Sequence, residues 1–134
     1  MTVENAVRSR LNGFAGLTSL VASRIHPLTL PQNVTYPAVS YSKVSVERVR
    51  AMGADPGLAL ARFQVSCWAT TYAAVRDVGE QVRAALQRWR GTVEGVVIQE
   101  SFFENEVDLF EPAVGEPTRG IYHRALDFTV IHEE

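Results

Sequence analysis

Residues 59–69 read ALARFQVSCWA and residues 71–90 read TYAAVRDVGEQVRAALQRWR, and these two neighbouring patterns predict a strand followed by a helix. In the first, apolar and mostly small side chains alternate with larger or polar ones, which is the period of a half-buried strand. The second has an apolar stripe at helical spacing, made of Tyr72, Val75, Val78, Val82, Leu86 and Trp89. Because a face of small side chains needs a bulky partner, we expect the helix to lie across the strand, with Gly91 as its C-terminal stop.

The flanking sequence predicts further elements of both kinds, and the fold class is therefore α+β, with an antiparallel or mixed sheet. Thr2 is a suitable N-cap for a first helix. In a strand that begins at residue 38, the apolar side changes between residues 39–41 and 44–46, so we expect a bulge at Ser42 and Lys43. The other predicted elements are a helix at 3–14, a helical turn at 17–21, a strand fragment near 25–28, and closing strands at 95–111 and 121–131.

Two connections are rich in glycine and proline, at residues 50–58 and 111–120. The second is too long for a tight hairpin turn. We therefore expect both segments to be exposed loops.

The composition of the 134-residue, 14.8 kDa chain is typical of a globular protein, and we expect one domain over residues 1–134. Its 13 basic and 15 acidic residues give a net charge of −2, so no net field attracts nucleic acid or an anionic membrane. The sequence has no run of 18 apolar residues and no secretory-signal layout at its start. Its single cysteine excludes an internal disulfide and fits a reducing compartment.

The residues that carry chemistry in other proteins form no recognisable motif. Cys67 lies on the apolar side of its predicted strand, where a thiol is a small, inert hydrophobe. His26, His123 and His132 lack the spacing of metal ligands. The glycines are single residues at turns, which predicts no phosphate-binding loop. We therefore expect no catalytic residue, no cofactor and no metal site.

Acidic side chains are most concentrated at residues 100–111. The even spacing of Glu100, Glu104, Glu106 and Asp108 predicts that they share one face of a strand. Phe102 has the same parity, so this face either contacts a partner or lies in solvent. A metal site or a pair of catalytic carboxylates is the alternative interpretation.

Arg76, Arg83 and Arg90 recur every seven residues and predict a basic edge along the helix. Such a row either covers the margin of the core with its aliphatic stems or binds an acidic face of a neighbouring subunit. Pairing with Glu80 inside the helix is also available, because Arg76 and Arg83 lie four and three residues from it.

A set of short motifs runs in order along nearly the whole chain, after an opening helix with Leu11. They are RIHP at 24–27, YPAVSY at 36–41, ARFQVSCWA at 61–69, TYAAV at 71–75, DLFEP at 108–112 and DFTV at 127–130. With these motifs the chain resembles the small tail completion, or tail terminator, proteins of long-tailed bacteriophages and gene transfer agents. His26 departs from the pattern, in which an aromatic residue such as tyrosine is expected.

The resemblance implies a non-enzymatic virion protein that forms a homo-hexameric ring at the head-proximal end of the tail tube. Such a ring stops polymerisation of the tail tube protein and presents the surface on which the head connector or stopper protein docks. Genome DNA passes through its channel without sequence-specific binding. The implied location is the tail–neck region of the virion, after assembly in the bacterial host cytoplasm, with no membrane partner.

A ring subunit of this kind needs loops that overlap its neighbours and charged flanks that complement each other. The candidate interface residues are Arg50, Met52, Asp55, Arg76, Arg83, Arg90, Glu100, Glu104, Glu106, Asp108, Glu111, Glu116 and Arg119. Two alternatives remain open at this point. One is a different neck or minor tail protein, such as a stopper, and the other is a small cytoplasmic α+β enzyme or ligand-binding dimer.

Overall fold

The structure is a computed structural model, and it describes residues 2–31, 34–49, 57–93, 95–113 and 116–133. This part of the chain contains three helices and six strands. In chain order they are α1 (Val3–Asn12), α2 (Ala15–Val21), β1 (Ile25–Pro27), β2 (Ala38–Arg48), β3 (Leu58–Ala69), α3 (Tyr72–Leu86), β4 (Gly91–Val93), β5 (Val96–Ala113) and β6 (Glu116–Glu133). None of these helices has the length and apolar character needed to cross a membrane.

All six strands belong to one mixed sheet, in the order β1-β2-β3-β6-β5-β4. β1 pairs in parallel with β2, and every other neighbouring pair is antiparallel. The helices pack on one side, which we call the helix face, where β3 presents Phe63, Val65 and Cys67. The opposite side, with Gln64 and Trp68, is called the open face, because no helix of the described residues covers it. The predicted α+β class is confirmed.

The core lies between the helix face and the three helices. Phe63 and Phe128 pair across β3 and β6, and both side chains are fully buried. α3 places Val75, Val78, Val82, Leu86 and other apolar side chains against them, as its sequence stripe predicted. Tyr72, at the first turn of α3, is instead 46% exposed, because it lies beyond the margin of the core. The hydroxyl of Thr2 caps α1, also as predicted.

α3 ends earlier than its sequence indicates. The helix stops at Leu86 rather than at Arg90, since the backbone becomes extended and then takes a positive φ of 58° at Arg88. This turn brings Trp89 into the core at 4% exposure. Gly91, with φ of 131°, opens β4 instead of ending the helix, and β4 itself was not predicted.

The connection at residues 111–120 is not the loop that the sequence predicts. β5 and β6 remain paired as far as Ala113 and Glu116, so most of the segment is strand. β3 pairs with β6 only as far as Ala69 and Tyr122, so the hairpin extends beyond the end of β3. Glycine and proline in this segment indicated a loop, but the long cross-strand ladder overrides these local preferences.

Four irregularities interrupt the strand pairing of the described residues, and one of them lies between Pro112 and Ala113, near the end of the β5–β6 hairpin. The shift between Lys43 and Ser45 in β2 confirms the bulge expected from the change of apolar side. Two others occur in β5, after Ile98 and after Phe103, and were not predicted. Each inserted residue moves the following side chains to the opposite face of the sheet.

Two leucines of the β5–β6 hairpin give a matched test of this core. Leu126 is fully buried on the helix face, whereas Leu109 on β5 is 52% exposed. We expect Leu126→Ala to lower the free energy of unfolding by about 2–5 kcal/mol, because it leaves a cavity. Leu109→Ala should change it by less than about 1 kcal/mol. Urea denaturation followed by circular dichroism measures both, and equal losses would contradict the burial described.

Candidate assembly surface

The groups with chemical reactivity are held in packing contacts. Cys67 is fully buried, and this burial raises the pKa of its thiol well above the ordinary value. The imidazole of His123 stacks on the indole of Trp68, with ring centroids 3.8 Å apart, and burial lowers the pKa of His123. In the described ranges, no group of three or more His, Cys, Asp or Glu side chains is placed to hold a metal ion.

A groove of about 620 Å³ lies between the segment after β1 and the open face. Its lining is largely apolar and includes Leu28, Tyr36, Trp68 and Ile121. The one carboxylate in this lining is Glu111. The groove therefore adds apolar surface to the open face near the far end of the β5–β6 hairpin.

The densest charge pairing in the described chain surrounds Arg124 of β6, which is 6% exposed on the helix face. Its Nε donates to Asp108 Oδ1 at 2.7 Å, and its Nη2 donates to Asp108 Oδ2 at 3.2 Å. Glu106 Oε1 lies 3.5 Å from its Nη1, and the hydroxyl of Tyr72 donates to Asp108 Oδ2 at 3.0 Å. Two hydrogen bonds to one carboxylate fix the guanidinium in a single orientation.

Gly79 of α3 makes room for this arginine. A Cβ atom at Gly79 would lie 2.6 Å from Arg124 Cδ, closer than van der Waals contact permits. α3 therefore passes directly over the arginine side chain while β5 binds its charged end. Helix α3 and the β5–β6 hairpin are joined at this point.

The ion pair between Arg124 and Asp108 was not predicted, although the sequence contains a signal for it. Arg124 alternates with Tyr122 and Leu126, so its position predicts a side chain that points towards the helices. A charge at an inward position needs a partner of opposite sign. Arg124 lowers the pKa of Asp108, and Asp108 raises the pKa of Arg124, so both groups are held in their charged forms.

A second set of charges links the segment after α3 to β5. Arg90 donates to Glu100 Oε2 from Nε at 3.1 Å and from Nη2 at 2.7 Å, and Arg88 Nη2 lies 3.6 Å from the same oxygen. These arginines lower the pKa of Glu100. The guanidinium of Arg88 also lies 5.9 Å from the ring centroid of Phe102. The candidate interface residues Arg90 and Glu100 are therefore bonded to each other inside the chain.

The acidic residues of β5 do not share one face, contrary to their even spacing. Glu100 pairs with Ile131 on the open face, whereas Glu106 and Asp108 point to the helix face. The bulge after Phe103 separates them, since the inserted residue reverses the parity. Only Glu106 and Asp108 of the set converge on Arg124, while Glu111 belongs to the open face.

The basic row along α3 is also divided. Arg76 and Arg83 lie on the helix with side chains 56% and 41% exposed, but Arg90 lies beyond its end. Arg83 forms the expected pair with Glu80 at 2.7 Å. Arg76 instead lies 3.7 Å from Asp77. The exposed basic edge of α3 therefore consists of two arginines.

Five other candidate interface residues have no described side chain. Arg50, Met52 and Asp55 lie outside the described residues, as does most of the predicted loop at 50–58. Glu116 and Arg119 contribute backbone to β6, and their side chains lie outside the described part. Their roles stay predictions.

The open face exposes more apolar surface than the single residue Phe102, which the sequence analysis identified. Phe102, Val107 and Leu109 line up along this side of β5, with exposures of 38%, 44% and 52%. Phe110, on the other side of the same strand, is 37% exposed. Exposed apolar residues in one row are typical of a surface that contacts another protein.

Comparisons with known proteins find a matching family and solved structures of similar fold. Residues 5–133 match the model of a family described as "Tail completion protein gp17". The fold is similar to that of a chain in a solved structure entitled "Virion of native gene transfer agent (GTA) particle", with a TM-score of 0.79 and 17% sequence identity over 98% of this chain and 95% of that one. No curated protein sequence matches the chain.

The pair formed by Arg124 and Asp108 predicts a specific dependence on pH. Because the pKa of Asp108 lies below its ordinary value of 3.8, its charge stabilises the folded chain above that pH, and the contribution is lost as the pH falls towards the lowered pKa. We expect Asp108→Asn to lower the free energy of unfolding by about 1 kcal/mol at pH 7, a small value for a charged hydrogen bond because Asp108 is partly exposed.

Urea unfolding of the unchanged chain and of Asp108→Asn between pH 7 and pH 2.5 measures the difference in their free energies of unfolding. The contributions of the other carboxylates cancel in this difference, because these groups titrate in both proteins. The difference should shrink below about pH 4. Tyr72→Phe is the control, since it removes a hydrogen bond to Asp108 without removing a charge. A difference that stayed constant over the whole range would contradict the assigned pair.

Proposed function

This chain belongs to the tail completion protein gp17 family, and on that premise we propose that it completes a phage-type tail by forming a ring on the end of the tail tube. The family makes it a structural tail protein and places it in a virion. The ring, its position at the head-proximal end and its role in stopping polymerisation are our proposal. We further propose that it acts as one domain and without enzymatic activity.

The family match is the observation that carries the proposal, because it spans all but the first four residues and the last one. Because the match covers nearly the whole chain, we propose the family's role for the chain as a whole. The proposed partners are other copies of this chain, the tail tube protein, and the head connector or stopper protein. Assembly would take place in the bacterial host cytoplasm.

The surfaces of the described residues support contact between copies. A cyclic ring joins two different surfaces of the same chain, so each subunit must carry both. α3 presents Arg76 and Arg83, and β5 presents Glu104, Glu106 and Asp108, all at least partly exposed. We propose that each of these charged surfaces contacts a neighbouring copy.

Passage of DNA through the ring is compatible with the charge of the chain. The net charge of −2 gives the chain no field that attracts a polyanion, and we propose that carboxylates near the channel keep the genome from binding to its wall. Such a channel needs no contacts to base edges, because it transmits every sequence equally.

The first test is the mass in solution, measured by light scattering over a range of protein concentrations. A hexamer of the 14.8 kDa chain has a mass of about 89 kDa, well separated from a dimer of about 30 kDa. We expect the hexamer to appear as the concentration rises or when tail tubes are added. A dimer whose mass does not depend on concentration, and that does not bind tubes, would contradict the proposal.

A second test reverses the charge of the basic edge of α3. We expect Arg76→Glu combined with Arg83→Glu to raise the concentration at half assembly at least about tenfold, because like charges then meet at the contact. Arg62→Glu, on the open face, is the control for a reversed arginine elsewhere. If assembly is unchanged in the double variant while its thermal unfolding is normal, α3 has no part in the ring contact.

A further inference from the structure

Two strands of the sheet, β2 and β5, have an outer edge that is unpaired over much of its length. The outer edge is the one that faces away from β3 and β6. β1 pairs with β2 only at residues 39–41, and β4 pairs with β5 only at residues 96–98. Among the described residues, no strand lies against the outer side of β2 at 43–47 or of β5 at 102–113. Unpaired strand edges of this length bind other strands readily.

The hydrogen bonds already present show which backbone groups of β5 point outwards. Ser101 accepts a hydrogen bond from the N–H of Arg88, which lies on the outer side of β5. Alternation from there, with the bulge after Phe103 taken into account, directs the backbone groups of four further residues outwards. These residues are Phe103, Glu106, Asp108 and Phe110.

Pro112 agrees with this assignment. Backbone groups alternate in direction along β5, and Pro112 lies an even number of residues after Glu106 and Asp108. Its nitrogen therefore points away from β6, as theirs do. A proline within a strand is tolerated where its nitrogen faces away from the neighbouring strand, because it cannot donate a hydrogen bond.

The outward groups of β2 follow in the same way. Tyr41 accepts a hydrogen bond from Leu28 on the outer side, whereas the N–H of Val49 donates to Leu58 on the inner side. Alternation between these two residues, across the bulge, directs the backbone of Lys43 and Val46 outwards. Lys43 therefore stands on the open edge of β2.

The two edges are complementary in direction and in charge. β2, β3, β6 and β5 are successively antiparallel, so β2 and β5 run in opposite directions. Two copies placed side by side in the same orientation would bring β5 of one against β2 of the other as antiparallel strands. Lys43 would then approach the edge that carries Glu104, Glu106 and Asp108.

We propose that the open edge of β5 pairs with the open edge of β2 from a second copy of this chain, so that the sheets of neighbouring subunits join into one. The inference rests on the proposed ring and specifies its contact. Repeated around the ring, this contact is heterologous, because each copy uses one edge to bind and the other to be bound. The open stretch of β5, at residues 102–113, is longer than that of β2, at residues 43–47, so one neighbour pairs with only part of the β5 edge.

Lys43 makes the contact directly testable, because it is the only lysine of the chain. A carbodiimide joins an amine to a carboxylate only when the two are in direct contact. Inside one chain, Lys43 Nζ lies 3.1 Å from Glu4 Oε1. β5, in contrast, is separated from β2 by three strand spacings of about 4.8 Å each. A bond that joins Lys43 of one copy to Glu104, Glu106 or Asp108 of another therefore reports the proposed contact.

The cross-linking is performed on the assembled protein, alone or on tail tubes, with equal amounts of ¹⁴N- and ¹⁵N-labelled chain, and the products are identified by mass spectrometry. We expect mixed-isotope peptides that join Lys43 to one of the three carboxylates of β5. The link from Lys43 to Glu4 within one chain is the internal control. Assembled protein in which Lys43 is joined only to Glu4, or to carboxylates outside β5, overturns the proposal.

A proline provides an independent test of the backbone pairing. Glu106→Pro removes an outward N–H and places a ring on the open edge, whereas Glu106→Ala keeps the N–H; both lose the ion pair with Arg124. We expect Glu106→Pro to raise the concentration at half assembly at least about tenfold over Glu106→Ala, at unchanged circular dichroism. Equal assembly of the two variants overturns the proposal, and if Glu106→Pro does not fold, the cross-linking decides.

The possible outcomes distinguish a failure of the proposed edge pairing from a failure of the proposed ring. Rings of about 89 kDa without the Lys43 links, and unaffected by Glu106→Pro, would leave the ring in place and remove only the edge pairing. Absence of any self-association, alone or on tail tubes, would overturn both. Links to a carboxylate of the tube protein in place of a second copy would assign the β2 edge to that partner and overturn the pairing proposed here.

Discussion

β3 and β6 pair without a bulge from Leu58 and Glu133 to Ala69 and Tyr122, and every other element takes its position from this pairing. The ladder aligns the apolar side chains of both strands on one face, with Phe63 opposite Phe128. That face is what α3 covers, and β2 and β5 then add to its two sides. A slip by one residue would turn the whole apolar set towards the open face, so the hydrophobic core fixes the register.

Arg124 shows how the same ladder positions the surface that we propose for assembly. It lies in the apolar row of β6, yet carries a charge that Glu106 and Asp108 of β5 balance. Because Gly79 lets α3 approach it closely, this one side chain contacts the helix as well as both strands of the hairpin. The hairpin beyond that point extends past β3 with exposed apolar and acidic residues. The surface that we propose as an assembly contact is thereby fixed to the core rather than carried on a loop.

The sequence predicted what depends on local periodicity and missed what depends on long-range pairing. The alternation at residues 59–69 and the stripe of α3 are strong because packing on one face repeats with the period of each element. The extent of the β5–β6 hairpin, by contrast, depends on cross-strand bonds that local composition does not encode. The bulge after Phe103 reverses the faces of Glu106 and Asp108 relative to Glu100, so a rule based on even spacing was wrong there. The partner of Arg124 could be found only once β5 and β6 were known to be neighbours.

The position of β6 in the chain also has a consequence for how the protein folds. The central strand pair joins residues such as Gln64 and Asp127, which are 63 positions apart, and β6 follows every other described element. Local contacts can form α1, α2 and α3 early, but β3 has no partner on that side until the last strand has left the ribosome. Folds dominated by such distant pairing fold slowly, because chain entropy is lost before the contacts compensate for it. During synthesis, the inner edge of β3 is therefore exposed for longest, and it is the segment with the greatest need of protection by chaperones.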